Sequence, residues 1–204
     1  MKIAIINYSM GNLASVQKAV ENFDFDVEII SSPKQLNNFD KIILPGVGSF
    51  NEAMKQLKFD NWIPNLNEFV LLKKKPILGI CLGMQLLGST GEENETTKGL
   101  NFIPGDIKNL KNMGCKKKLP HIGWNDTEFK FDSKLFKDIS TGNDFYYVHS
   151  YSFKPKFKEH ISSIVNYGID IVASIENENV FGTQFHPEKS SKSGLRLIKN
   201  FLNL

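Results

Sequence analysis

The stretch P-I-L-G-I-C-L-G-M-Q-L-L at residues 76–87 decides the fold. It opens on Ile77, Leu78 and Ile80, a short apolar run suited to a strand buried on both faces. It then passes through G-I-C-L-G into M-Q-L-L, where a helix begins. Strand, sharp turn and helix around one reactive side chain make the G-x-nucleophile-x-G elbow, with Cys81 as the nucleophile. The glycines have a steric purpose, because the turn strains the nucleophile and brings backbones close where a Cβ would clash. The helix N-terminus favours thiolate over thiol. The N–H of Leu82, the next residue, is expected to point at a developing oxyanion. A lone cysteine is more often a buried core residue. Two flanking glycines at a strand–helix junction favour catalysis instead.

Working outward, residues 3–6, 27–30 and 41–44 read as short buried strands, the last stopped by Pro45 and Gly46. Leu13, Val16, Ala19, Val20 and Phe23 recur at helical spacing, and residues 53–57 and 63–72 also read as helical. Strands covered on both faces by alternating helices imply an α/β fold with a parallel sheet. Residues 122–129, 145–153, 161–167, 171–175 and 180–185 are strand-like with few helices between them, so hairpins and a partly antiparallel sheet are expected. Residues 193–202 read as a closing helix, and the polar segment 89–99 as a loop. No repeat or linker divides the chain, so residues 1–204 are expected to form one domain.

A thiolate needs a proton acceptor that can later protonate a leaving group, and histidine suits this near neutral pH. Of the four histidines, His186 follows an apolar strand-like segment, and Glu188 stands two residues on. In extended backbone, residues two apart point the same way. Pro187 between them biases His186 away from helix. Glu188 is expected to hold the imidazole in one tautomer and stabilise its cation, completing a Cys-His-Glu triad. The histidines and cysteines do not cluster at metal-ligand spacing, so no metal and no cofactor are expected. Cys115, between Gly114 and three lysines, reads as a non-catalytic surface or loop thiol.

The 204 residues carry 25 basic and 22 acidic side chains, a net charge of +3, which does not argue for nucleic acid. The lysine runs 73–75 and 116–118 read as solvated surface. Two cysteines are no disulfide framework. No apolar stretch approaches the ~20 residues of a membrane span, and residues 3–6 are too short for a signal sequence. A soluble protein of a reducing cytoplasm is expected.

The segment L-P-G-V-G-S-F at 44–50 ends a strand, and its spaced glycines allow a backbone N–H to turn toward a ligand. Alone it reads as a tight turn. Together, G-I-C-L-G-M-Q-L-L at 79–87 and Q-F-H-P-E-K-S at 184–190 resemble the class I (triad) glutamine amidotransferases. P-G-V-G-S-F at 45–50, L-P-H-I-G-W-N at 119–125 and Y-V-H-S-Y at 147–151 resemble, more narrowly, glutaminase subunits of imidazole glycerol phosphate synthase. The first loop departs from that pattern, with Asn7-Tyr8-Ser9 where Asp-Tyr-Gly is usual.

The resemblance implies a flavodoxin-like amidotransferase domain with Cys81, His186 and Glu188 as the triad. It implies an oxyanion N–H from Val47 beside Leu82, after a peptide flip within residues 45–48. Gly46, Gly48, Gln85, His149, Ser150 and Tyr151 would hold glutamine. His121, Trp124 and Asn125 would lie at the interface with a (β/α)₈-barrel cyclase subunit in a heterodimer. Ammonia would pass into that barrel, giving imidazole glycerol phosphate and an aminoimidazole carboxamide ribotide in histidine biosynthesis. The alternatives are a paralogue feeding a sugar-modifying amidotransferase, a cysteine hydrolase acting without a partner, and a non-catalytic interaction subunit. The intact triad and the Gly46/Gly48 loop weigh against the last two.

Overall fold

A computed structural model of the protein describes residues 1–130 and 132–204. Through the first half, strands and helices alternate as β1 (Lys2–Ile6), α1 (Leu13–Val20), β2 (Asp26–Ile30), β3 (Lys41–Gly46), α2 (Phe50–Phe59), α3 (Trp62–Asn67), β4 (Ile77–Cys81) and α4 (Leu82–Leu86). The second half holds β5 (Thr90–Gly91), β6 (Thr97–Lys98), β7 (Gly105–Asn109), β8 (His121–Phe129), β9 (Asn143–His149), β10 (Tyr151–Pro155), β11 (Ile161–Asn166), β12 (Asp170–Asn177), β13 (Val180–Thr183) and α5 (Ser191–Leu202). Among the described residues, no helix is long and apolar enough to cross a membrane.

Nine strands form one sheet in the order β2-β1-β3-β4-β13-β12-β11-β8-β9. The first five are parallel, and their order is that of a flavodoxin-like sheet with β13 as its fifth strand. The rest are antiparallel, joined by the β8–β9 and β11–β12 pairings. Alternate side chains serve opposite faces. Ala4, Ile6, Ile42 and Leu44 pack with Ala53 and Leu57 of α2 and Trp62 of α3. Ile3, Ile5, Ile43 and Ile80 pack with Val16 and Val20 of α1 and Leu197 and Phe201 of α5. The α/β class is therefore the fold adopted, with a helix-flanked sheet that is parallel through its first five strands and antiparallel beyond them.

The fold departs from expectation at several elements. Pro45 and Gly46 do not stop β3, which pairs with β4 through Gly46↔Cys81. Ile42 donates to Pro76 on the β4 side, so alternation places the missing N–H of Pro45 on the β1 side. There β1 pairs only as far as Ile43, and no ladder bond is lost. Residues 145–153 are not one strand, because the chain leaves the large sheet after His149 and from Tyr151 pairs with β7 in a smaller one. That smaller sheet, β10-β7-β5-β6, also takes in parts of the expected loop at 89–99. The helix beginning at the elbow ends after Leu86. Cys115 is buried rather than at the surface, and its thiol donates to the Tyr167 carbonyl at 3.2 Å.

Lys41 is the charged side chain buried deepest in the parallel sheet, at 3% exposure. Its Nζ donates to the carbonyls of Phe201, Leu202 and Leu204 at 3.1, 2.7 and 2.8 Å, a cation at the C-terminal end of α5. Burial lowers its pKa. Lys41→Met strips those carbonyls of their donor and is expected to destabilise the chain by about 2 kcal/mol in urea unfolding. An unchanged midpoint would show that the latch contributes nothing.

Candidate active site

β3, β4 and β13 lie side by side with their carboxyl ends together, the edge where open α/β sheets bind ligands. Cys81 ends β4 and immediately precedes α4. Its φ is 55° and ψ −109°, a strained conformation for a residue with a Cβ. Close packing beneath it maintains the strain: a Cβ at Gly79 would lie 2.6 Å from the Gly83 carbonyl oxygen. The sulfur lies 3.9 Å from the Val148 carbonyl and 3.7 Å from Nε2 of Gln184.

His186 comes off the carboxyl end of β13 in extended conformation. Its Nδ1 is 2.8 Å from Oε1 of Glu188, and both side chains are almost wholly buried. The two meet by a route other than strand alternation. Pro187–Lys189 forms a 3₁₀ turn that folds Glu188 back onto the ring, and Ser190 Oγ donates to the His186 carbonyl. Burial works against the imidazolium, but the negative sulfur of Cys81 and the Glu188 carboxylate outweigh it and raise the ring's pKa to about 10. Its Nε2 is buried with no hydrogen-bond partner among the described residues. The Cys81 sulfur faces this nitrogen from the pocket, and contacts between catalytic groups are often long or poorly aligned before substrate binds.

The pocket above the sulfur, about 330 Å³, is small-molecule sized. Val47, Gly48, Leu82, Gln85, His149, Ser150 and Tyr151 all line it with Cys81 and His186. Gly46 does not reach the wall. It lies against Tyr8 and α4, where a Cβ would come within 2.5 Å of the Tyr8 hydroxyl. Gln85 Nε2 donates to the Tyr151 carbonyl at 3.1 Å and to Oε1 of Gln184 at 2.9 Å.

Glu93 is a lining residue that the sequence did not single out. Its Oε2 accepts from the Phe50 N–H at 2.8 Å, at the start of α2. It stands in a run with Glu92 and Glu95, and nothing in that run distinguishes it before folding.

His149 and His121 form a buried pair, Nε2 to Nδ1, at 3.1 Å. Nδ1 of His149 donates to the Tyr151 carbonyl at 2.8 Å, so its Nε2 accepts from His121. Burial keeps both rings neutral, with pKa values lowered to about 3 for His149 and about 4 for His121. His121, expected at an interface, is only 2% exposed and stacks between Tyr147 and Tyr167. Strand alternation explains the correction: β8 turns His121 inward and presents Ile122 and Trp124, 58% and 52% exposed, on the other face. Asn125 is half-buried and bonds inward, to His121 and to the Asn166 carbonyl.

The family model for class I glutamine amidotransferases matches residues 4–204. The chain is 44% identical to imidazole glycerol phosphate synthase subunit HisH of Pelagibacter ubique, over 100% of both chains. It is 47% identical to subunit HisH 1 of Campylobacter jejuni, over 99% of this chain and 100% of that one. Among solved structures, a glutamine amidotransferase matches with a TM-score of 0.77 at 14% identity, covering 98% of this chain and 97% of that one. PurLQS from Thermotoga maritima matches with a TM-score of 0.74 at 18% identity, over 99% and 97%, which speaks to the fold alone. A thiol, an imidazole and a carboxylate gathered at one sheet edge, a family model over nearly the whole chain and HisH relatives matched along their full length place this chain in the class I glutamine amidotransferase family, among the HisH subunits of imidazole glycerol phosphate synthase.

Proposed function

We propose that residues 1–204 act as one glutaminase domain that cuts ammonia from glutamine and delivers it to a cyclase partner. The observation that carries this reading is the strained Cys81 at the elbow, facing a buried His186 held by Glu188. The Cys81 thiolate attacks the side-chain amide carbon of glutamine. The oxyanion rests on backbone N–H groups of Leu82 and, after a peptide turn in residues 45–48, of Val47. His186 gives its Nε2 proton to the departing ammonia, leaving a thioester on Cys81. The same nitrogen then takes a proton from water, which attacks the thioester and releases glutamate. Glu188 keeps Nδ1 protonated throughout.

Gln85, Gly48, His149, Ser150 and Tyr151 hold the glutamine, and Gly46 packs behind them against α4. Glu93 supplies a carboxylate for its ammonium group. Ammonia released into water would be protonated, so the pocket is expected to open into a partner. The partner is a (β/α)₈-barrel cyclase in a cytoplasmic heterodimer, docked on the face of β8 that bears Ile122 and Trp124, two exposed apolar side chains side by side. There ammonia reacts with a phosphorylated ribulosyl nucleotide intermediate.

The isolated chain is expected to hydrolyse glutamine slowly. Added cyclase carrying its nucleotide ligand should raise the rate by on the order of 100-fold or more, since completing an oxyanion hole is worth that much. Equal rates with and without the liganded cyclase would overturn the gating.

A further inference from the structure

Gln184 is fully buried directly before the catalytic-loop residues, and no step above uses it. We infer that Gln184 is a positioning residue whose amide N–H holds the anionic sulfur of Cys81. This rests on Cys81 being the nucleophile.

The bond directions follow from donor inventory. The Tyr151 carbonyl offers no proton, so the Gln85 nitrogen must face it. That same nitrogen also reaches Gln184, which must answer with its oxygen. The Gln184 nitrogen is thereby turned to the sulfur, 3.7 Å away. No solvent reaches Gln184 to offer its amide a different arrangement.

Besides His186, two polar groups next to the sulfur sort its protonation states. A thiol can donate to the Val148 carbonyl, but an anion is repelled by that oxygen. The Gln184 N–H does the reverse, improving as the proton leaves. The pair Gln85–Gln184 thus biases Cys81 toward the state that attacks. Tyr151 anchors the same chain through the His149 bond to its carbonyl.

The test is the pH dependence of Cys81 alkylation by iodoacetamide, followed by peptide mass spectrometry on the full chain. In Gln184→Leu the alkylation midpoint should move up by about one pH unit, so that modification below the wild-type midpoint slows roughly tenfold. Gln184→Glu, which matches glutamine in heavy atoms, should move it at least as far, and it serves if the leucine variant fails to fold. Because Gln184 lies behind the pocket wall, kcat at a pH below the midpoint should fall more than KM for glutamine rises. An unmoved midpoint in a folded variant overturns the inference. Wild-type chain that keeps its glutaminase activity after complete alkylation of Cys81 would instead refute the nucleophile assignment.

Discussion

Cys81→Ser is expected to abolish glutamine-dependent turnover and to leave ammonium-dependent synthesis by the assembled complex intact. The loss should be on the order of 10⁴-fold or more, the scale seen when a covalent nucleophile is removed from an otherwise complete site. A serine hydroxyl occupies the same strained elbow, so the backbone need not change. What changes is the anion. His186, with its pKa raised to about 10 in part by the Cys81 sulfur, faces a group that does not share that charge at neutral pH. Without the sulfur that pKa falls, and the neutral hydroxyl is a far weaker nucleophile than a thiolate. Ammonium supplied at high concentration bypasses the pocket and reaches the cyclase as free ammonia. Steady-state assays with glutamine and with ammonium chloride, on one preparation, separate the two steps. Glutaminase activity persisting in the variant would end the thioester mechanism. Loss of both activities would mean that Cys81 supports the assembly rather than the chemistry.

What could be read before folding, and what could not, divides along physical lines. The parallel half was legible because its strands are buried on both faces, so β1, β3 and β4 are continuous apolar runs that no other element explains. The elbow was legible because a nucleophile between two glycines at such a strand's end is a local pattern. β7 was not, since its only apolar residue is Ile107 and its strand character comes from partners far along the chain, β5 and β10. The break at Ser150 was hidden for a related reason. Residues 145–153 alternate suitably for one strand, and only the competing ladder offered by β7 divides them. The motif around Trp124 predicts an interface for His121 as well, but residues an odd number apart on a strand face opposite ways. The contact between Glu188 and His186 was expected from strand geometry, yet it forms through a turn. The pairing was right and its geometric reason was not. Glu93 owes its place to long-range packing, and the contact of Gln184 with Cys81 and Gln85, though Gln184 opens the motif at 184–190, is likewise set by packing rather than local spacing.

Gly83→Ala should be the most damaging single methyl in the chain. The need for glycine there is proximity. A Cβ built at Gly83 would stand 1.8 Å from the Leu44 carbonyl oxygen and 2.9 Å from its carbon. Those are backbone atoms of β3, so no flexible side chain can swing away. Relief requires α4 and β3 to separate, and they meet where both feed the pocket. Gly46 crowds the Gly83 nitrogen from the same side, at 2.9 Å from its own would-be Cβ. The glycines at 46, 79 and 83 therefore form one backbone-on-backbone contact beneath Cys81, and the φ of 55° at Cys81 persists because that contact leaves no alternative. Overpacking at a buried backbone contact costs about 3 kcal/mol or more. A displacement of ~1 Å between nucleophile and oxyanion donors costs on the order of 100-fold in rate. Both losses should appear together, as a lowered urea midpoint and a collapsed kcat/KM. Gly11→Ala gives the contrast, because its Cβ would meet nothing nearer than 3.4 Å, and it should unfold within about 1 kcal/mol of the parent. A Gly83→Ala chain with parental stability and turnover would mean that β3 and α4 can part freely, and that the strain at Cys81 is maintained by something other than this packing.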